Sequence, residues 1–138
     1  MLFHKMKFIP QHDQMDCGPA CLAMIASHYG KDYDLHILRN NSFITKEGVS
    51  LLGITEASEK IGFKTLSTKL KIEDLNNELL PCILHWNQNH FVILYKISKK
   101  FITQEKIYKI VDPGYGFISL SEDKFRKSWL SEDNKGIS

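Results

Sequence analysis

The sequence predicts an α+β domain, with N-terminal helices packed against a C-terminal antiparallel sheet. Three observations predict it. Apolar residues recur at helical spacing through the first half of the chain. The second half changes to short β-branched and aromatic runs separated by polar turns. Helices gathered first and strands afterwards make separate layers rather than alternating β-α-β units.

The first helix is expected in CGPACLAMIASHYG, residues 17–30, with Asp16 as its N-cap, Pro19 in its first turn and Gly30 as its stop. Leu22, Ile25, Ala26 and Tyr29 share one face at helical spacing. A short helix is expected over DLHILRN, residues 34–40. Another is expected over SLLGITEASEKIG, residues 50–62, capped by Ser50 and stopped by Gly62. Its inward stripe is read as Leu51, Ile54, Ala57, Glu59 and Ile61.

FKTLSTKL (63–70) reads as a strand and EDLNNEL (73–79) as a short helix. Pro81 opens CILHW (82–86), an apolar run suited to a buried strand. NQN (87–89) is a turn, and HFVILYKI (90–97) and KIYKIVD (106–112) are strands joined by a polar loop. PGYG is a turn, GFISLS a further strand and EDKFRKSWL a closing helix.

The chain has 138 residues, 43% hydrophobic and 25% charged, which suits one soluble globular domain spanning 1–138. A net charge of +2 and the lack of a dense Lys/Arg run argue against a nucleic-acid binder working by bulk charge. No apolar run is long enough to cross a bilayer, and the N-terminal stretch lacks the apolar core of a secretion signal. Three cysteines, Cys17, Cys21 and Cys82, do not make a disulfide framework, so reduced thiols in a cytosolic setting are expected.

Chemistry enters with Cys17. It starts a predicted helix, where unpaired amides and the helix dipole favour an anion, so a thiolate there is a usable nucleophile. The plain alternative is a buried cysteine packing as a small hydrophobe. Asp16 beside it opposes ionisation, less so if its carboxylate is spent capping the helix.

A cysteine nucleophile needs a base, and six histidines are available. His90 opens a strand just after a polar turn, where a side chain can face a cleft from a fixed backbone. His28 lies two to three turns from Cys17 on the same helix. Asp112 ends a strand before Pro113 and can accept a hydrogen bond from the imidazole, or merely start the turn. Gln11 lies six residues upstream of Cys17. Its amide and the Cys17 backbone N–H can together hold a developing oxyanion.

The stretch QHDQMDCGPACLAMIASHYG resembles the opening motif of the C39 peptidases, the papain-like cysteine peptidase domains of bacteriocin-processing ABC exporters. The resemblance continues in TKEGVSLLGITEASEKIGF, LPCILHWNQNHFVILYKI and VDPGYGFISLS, in order and over nearly the whole chain. It implies a papain-like fold and the roles of nucleophile for Cys17, general base for His90, orienting acid for Asp112 and oxyanion-hole amide for Gln11. Phe91 stands where a Tyr is more often expected. Asp13 and Asp16 are read as helix-start or loop-bracing residues, and Cys21 receives no catalytic role.

The resemblance further implies cleavage of bacteriocin or related precursors after a double-glycine motif, coupled to export. The implied partners are a double-glycine leader peptide and the transmembrane and ATP-binding domains of an exporter, with this domain on the cytosolic face of the membrane. No cofactor and no metal are implied. Three alternatives remain: a C39-like module that binds leaders without cutting, another papain-like acyl or amide transfer, and a metal site using Cys17 and Cys21.

Overall fold

The computed structural model describes residues 6–13, 15–41, 50–87, 90–130 and 136–138. Three helices come first: α1 (Cys17–His28), α2 (Leu35–Asn41) and α3 (Leu51–Lys60). The glycines expected to end α1 and α3 do so with left-handed backbones, Gly30 at φ +85° and Gly62 at φ +99°. Ser50 caps α3, its Oγ accepting the Gly53 N–H at 3.1 Å.

Four strands then form one antiparallel sheet in which chain neighbours are sheet neighbours. These are β2 (Cys82–Trp86), β3 (His90–Lys99), β4 (Lys106–Asp112) and β5 (Gly116–Ser121). The closing helix, α4 (Glu122–Trp129), follows at once, its first turn capped by Ser121. The architecture is α+β, as the change of period predicts.

β3 is the centre of the core. Phe91, Val92, Ile93 and Leu94 are all buried, because both faces of the strand are covered. Phe91 and Ile93 pack with Cys17, Cys21 and Met24 of α1 and with Val111. Val92 and Leu94 join the other cluster, in which Tyr108 stacks on Phe125 of α4 at 4.2 Å between ring centroids.

Several expectations are corrected. Asp16 sits at the N-cap position of α1, but its side chain makes no cap hydrogen bond. α1 is buried on nearly all sides rather than along one stripe, while Tyr29 at its end is exposed. Glu59 points outward from α3. Within 63–70 only Lys69–Leu70 (β1) is a strand, and its partner is Gly136–Ile137 (β6), which the sequence pattern did not suggest. Residues 73–79 contribute to two 3-10 turns, Ile72–Asp74 and Asn77–Leu79, instead of one helix. Gln88 and Asn89 of the expected NQN turn, and residues 45–49 of the second motif, lie outside the described residues.

β6 anchors the end of the chain against α4, where Trp129 Nε1 donates to the Ile137 carbonyl at 3.1 Å. A Cβ on Gly136 would sit inside the Trp129 ring. Gly136→Ala is therefore expected to cost about 2 kcal/mol by overpacking, measured by urea denaturation. A variant as stable as the wild type would contradict this packing.

Candidate active site

Two strand ends and one helix start converge. β3 begins at His90 and β4 ends at Asp112, and the two strands run antiparallel side by side. His90 Nε2 and Asp112 Oδ1 are 2.7 Å apart, the length of a charge-assisted hydrogen bond. Cys17 lies near enough to the His90 ring to help raise its pKa. Since Nε2 faces Asp112, Nδ1 is the nitrogen left for the sulfur. Cys17 is buried, and the His90 and Asp112 side chains are 23% and 18% exposed, so the pair borders solvent without facing it openly.

The turn after β4 holds Asp112 still. Gly114 N–H donates to Asp112 Oδ1 at 2.9 Å, and Tyr115 N–H donates to the Asp112 carbonyl at 3.0 Å. The same turn holds Gln11, whose backbone N–H donates to the Pro113 carbonyl at 3.0 Å. The Gln11 carboxamide lies over Gly114, where a Cβ would come within 3.3 Å of its Cδ. Gly114 thus serves two residues of the site. Sequence reasoning assigned PGYG only to a turn, although a glycine one residue beyond an Asp-Pro pair is the available signal.

Arg39 was also missed. Asp16, fully buried, has its carboxylate Oδ1 3.1 Å from Arg39 Nε, in an ion pair whose angle does not make a directed hydrogen bond. Arg39 Nη2 also meets Asp13 Oδ2 at 3.3 Å. Asp13 in turn accepts the Met15 N–H at 2.8 Å. Asp16 is therefore engaged by α2 rather than by the first turn of α1. Nothing in the local pattern of LHILRN marks an arginine that reaches back to a residue far upstream.

The electrostatics follow from the geometry. Burial disfavours the His90 imidazolium, but the hydrogen bonds and charges of Asp112 and Cys17 outweigh it and push the pKa up to about 9. Burial also disfavours the Asp112 carboxylate, yet the hydrogen bonds from His90 and Gly114 and the His90 charge hold its pKa below the ordinary 3.8. Among the described residues no group of three or more His, Cys, Asp or Glu side chains is placed to hold a metal. The three cysteines are free thiols.

An apolar cleft of about 440 Å³ lies between α1, α3 and the edge of the sheet. Leu22, Ile25, Leu51, Ile54 and Phe63 line it, but Cys17, His90 and Asp112 do not.

A family model described as the peptidase C39 family matches residues 5–132. The chain belongs to the peptidase C39 family. Among its relatives is the colicin V secretion/processing ATP-binding protein CvaB of Escherichia coli, 33% identical across 89% of this chain. The transport/processing ATP-binding protein ComA of Streptococcus pneumoniae is 32% identical across 94% of it. The chain spans only 17% and 18% of the lengths of those relatives.

The crystal structure of the peptidase domain of Streptococcus ComA, described as a bi-functional ABC transporter involved in quorum sensing, superposes with a TM-score of 0.79 and 32% identity. It covers 97% of both chains. A double glycine motif protease from an AMS/PCAT transporter, in complex with the leader peptide, matches with a TM-score of 0.77 and 28% identity. That match covers 97% of this chain and 89% of the other. The C39 fold here is therefore that of a peptidase domain. Among the described residues no helix is long and apolar enough to cross a membrane.

Two outcomes follow. Replacing Asp112 removes the stronger of the two partners that raise the His90 pKa and leaves Cys17, so in Asp112→Asn the imidazole should titrate well below about 9 by NMR. The stabilisation from charged His90 is full below 6.5 and is lost as pH rises through about 9, so the stability gap between wild type and variant should close in that window. An imidazole still titrating near 9 in the variant would contradict the assignment. Arg39→Ala strands a buried carboxylate and should lower stability by about 2 kcal/mol in denaturant melts, less in Arg39→Lys. Equal melts for all three proteins would contradict the ion pair.

Proposed function

We propose that the chain is a cysteine peptidase that cleaves the leader of bacteriocin or related peptide precursors after a double-glycine motif. The observation that carries this reading is His90 held by Asp112 at 2.7 Å, with Cys17 near enough to the same ring to help raise its pKa. That is the arrangement a nucleophile, base and orienting acid require. The family membership and the likeness to a double glycine motif protease support the substrate class.

In this reading Cys17 sulfur attacks the carbonyl carbon of the second glycine. The Cys17 N–H, at a helix start with no intrahelical acceptor, and the Gln11 side-chain amide hold the oxyanion. The C–N bond breaks as the His90 imidazolium gives its proton to the leaving amine. Water, deprotonated by His90, then attacks the thioester and releases the leader as a carboxylic acid. Asp112 keeps Nε2 engaged, so Nδ1 remains aimed at the sulfur throughout. In this reading, Gly-Gly specificity requires a subsite beside Cys17 too narrow for larger side chains, which would reject them by steric clash.

The same reading makes residues 1–138 the N-terminal domain of a longer exporter. Its transmembrane and ATP-binding domains would be the partners, with this domain on the cytosolic face. The relatives' names, which join processing to transport, support that placement.

The test is a peptide panel with and without Gly-Gly before the cut, read by mass spectrometry. Wild type should cut only the Gly-Gly peptides, Cys17→Ala none, and Gln11→Ala roughly 100- to 1000-fold more slowly. Activity should fall above about pH 9, where His90 loses its proton, and Asp112→Asn should move that limb to lower pH, in step with the imidazole titration. Leader binding without cleavage by the wild type would overturn the proposal in favour of a non-cutting module.

A further inference from the structure

β3 and β4 have two ends. One carries His90 and Asp112. The other, reached about ten residues along β3 at roughly 3.3 Å per residue, is a hairpin tip some 30 Å away. At that tip Phe101 is 94% exposed and Ile102 89% exposed, the two most exposed large hydrophobics among the described residues.

The tip is a built turn rather than a loose loop. Lys100 N–H donates to the Glu105 carbonyl at 2.9 Å and Gln104 N–H to the Lys100 carbonyl at 3.0 Å. Gln104 Nε2 caps the Phe101 carbonyl at 2.9 Å, and the Thr103 hydroxyl accepts the Glu105 N–H at 3.4 Å. Much of its backbone polarity is thus satisfied internally, which lowers the cost of moving the tip into a less polar medium.

Charge surrounds the apolar tip. Residues 96–109 hold five lysines and one glutamate, a net +4 in a chain whose total is +2, so the remainder carries −2. The strand register sets Lys96 opposite Lys109 and Lys99 opposite Lys106. Like charges directly opposite destabilise a ribbon. The single acid, Glu105, is already paired with Lys100 at 3.4 Å. Glu122 follows Ser121, which pairs with Ile107 at the tip end of β4, and both it and Glu73 are engaged by Arg126.

We infer that the β3–β4 hairpin tip is a docking element for an anionic phospholipid bilayer, with Phe101 and Ile102 entering the headgroup region and the lysines meeting lipid phosphates. Lys99 and Lys100 lie within two residues of Phe101, and the register sets Lys106 level with Lys99, so all three are about 7 Å or less along the ribbon from the tip and inside one screening length of the surface. Lys96 and Lys109 lie farther back. Two isolated apolar side chains on a protruding turn are far too little surface for a stable protein interface, but they suit a flat bilayer. One aromatic ring without a groove offers no stacking platform for nucleic acid. The inference is independent of the peptidase reading, because the tip shares no residue with the site.

The test is co-sedimentation of the purified chain with vesicles of phosphatidylcholine containing phosphatidylglycerol, at low and high salt. The wild type should bind at low salt, release at high salt and ignore pure phosphatidylcholine. Each lysine near the surface is worth about five-fold in partitioning, so Lys99→Gln/Lys100→Gln/Lys106→Gln should lose roughly 100-fold. Phe101→Ser/Ile102→Ser should also bind more weakly, with unchanged circular dichroism and melting. A Phe101→Trp reporter should shift its emission to the blue on adding anionic vesicles. No binding by the wild type at low salt overturns the inference and returns the hairpin to a protein partner. Binding that both tip variants retain in full overturns it as well, by assigning the contact to another face.

Discussion

Packing of α1 against the start of β3 is the constraint on which the site depends. Cys21 donates its thiol to the Phe91 carbonyl at 3.4 Å, from a fully buried position. Cys17 lies one helical turn before Cys21, and His90 is the residue before Phe91. The contact that joins the two elements is therefore one step removed from the sulfur and imidazole it aligns. Burial, reinforced by the charges of Cys17 and Asp112, holds Cys21 well above the usual thiol range, so it stays a neutral donor. A second ionisable sulfur beside the first would repel it; a protonated one packs and anchors.

The opposite edge of the site is held by charge. A carboxylate as deeply buried as Asp16 is costly unless paired, and pairing it with Arg39 ties α2 to the start of α1. The arginine also places a positive charge next to the carboxylate that would otherwise oppose a thiolate at Cys17. A well-packed apolar pair in the same place would close the helices together equally well, but it would leave no compensating cation near the helix start. The buried ion pair thus trades some stability for local electrostatics, while Asp13 extends the network to the segment that carries Gln11.

The fold and the meeting of His90 with Asp112 were legible because each rests on a local signal. Gly30 and Gly62 mark helix ends that need positive φ. The β-branched runs at 90–97 and 106–112 are long and bounded by turns, and the structure extends the first of them to Lys99. His90 and Asp112 stand at the ends of those runs, and antiparallel pairing brings such ends together. What escaped the sequence was non-local. Asp16 carries the composition of a cap but spends its carboxylate on an arginine 23 positions later, which spacing along one helix does not encode. FKTLSTKL has strand composition, yet only Lys69 and Leu70 find a partner, and that partner is a two-residue segment near the chain's end. The cover on both sides of α1 likewise depends on where α3 and the sheet settle.

The lysines show the same limit from another side. Spread through 96–109 at uneven spacing, they form no dense run, and the near-neutral total charge suggests no electrostatic role. Antiparallel pairing folds the segment on itself, sets lysine opposite lysine twice and leaves the remainder of the chain net negative. Among the described residues, only Lys100 on this ribbon meets an acid of its own, Glu105, so most of its positive charge is left uncompensated within the hairpin. The hairpin that aligns His90 with Asp112 at one end must also be stiff along its length, because Tyr108 and Leu94 are locked in the core between the two ends. Any surface that holds the tip therefore fixes the distance and orientation of the cleft relative to that surface, and it does so without touching a residue of the site.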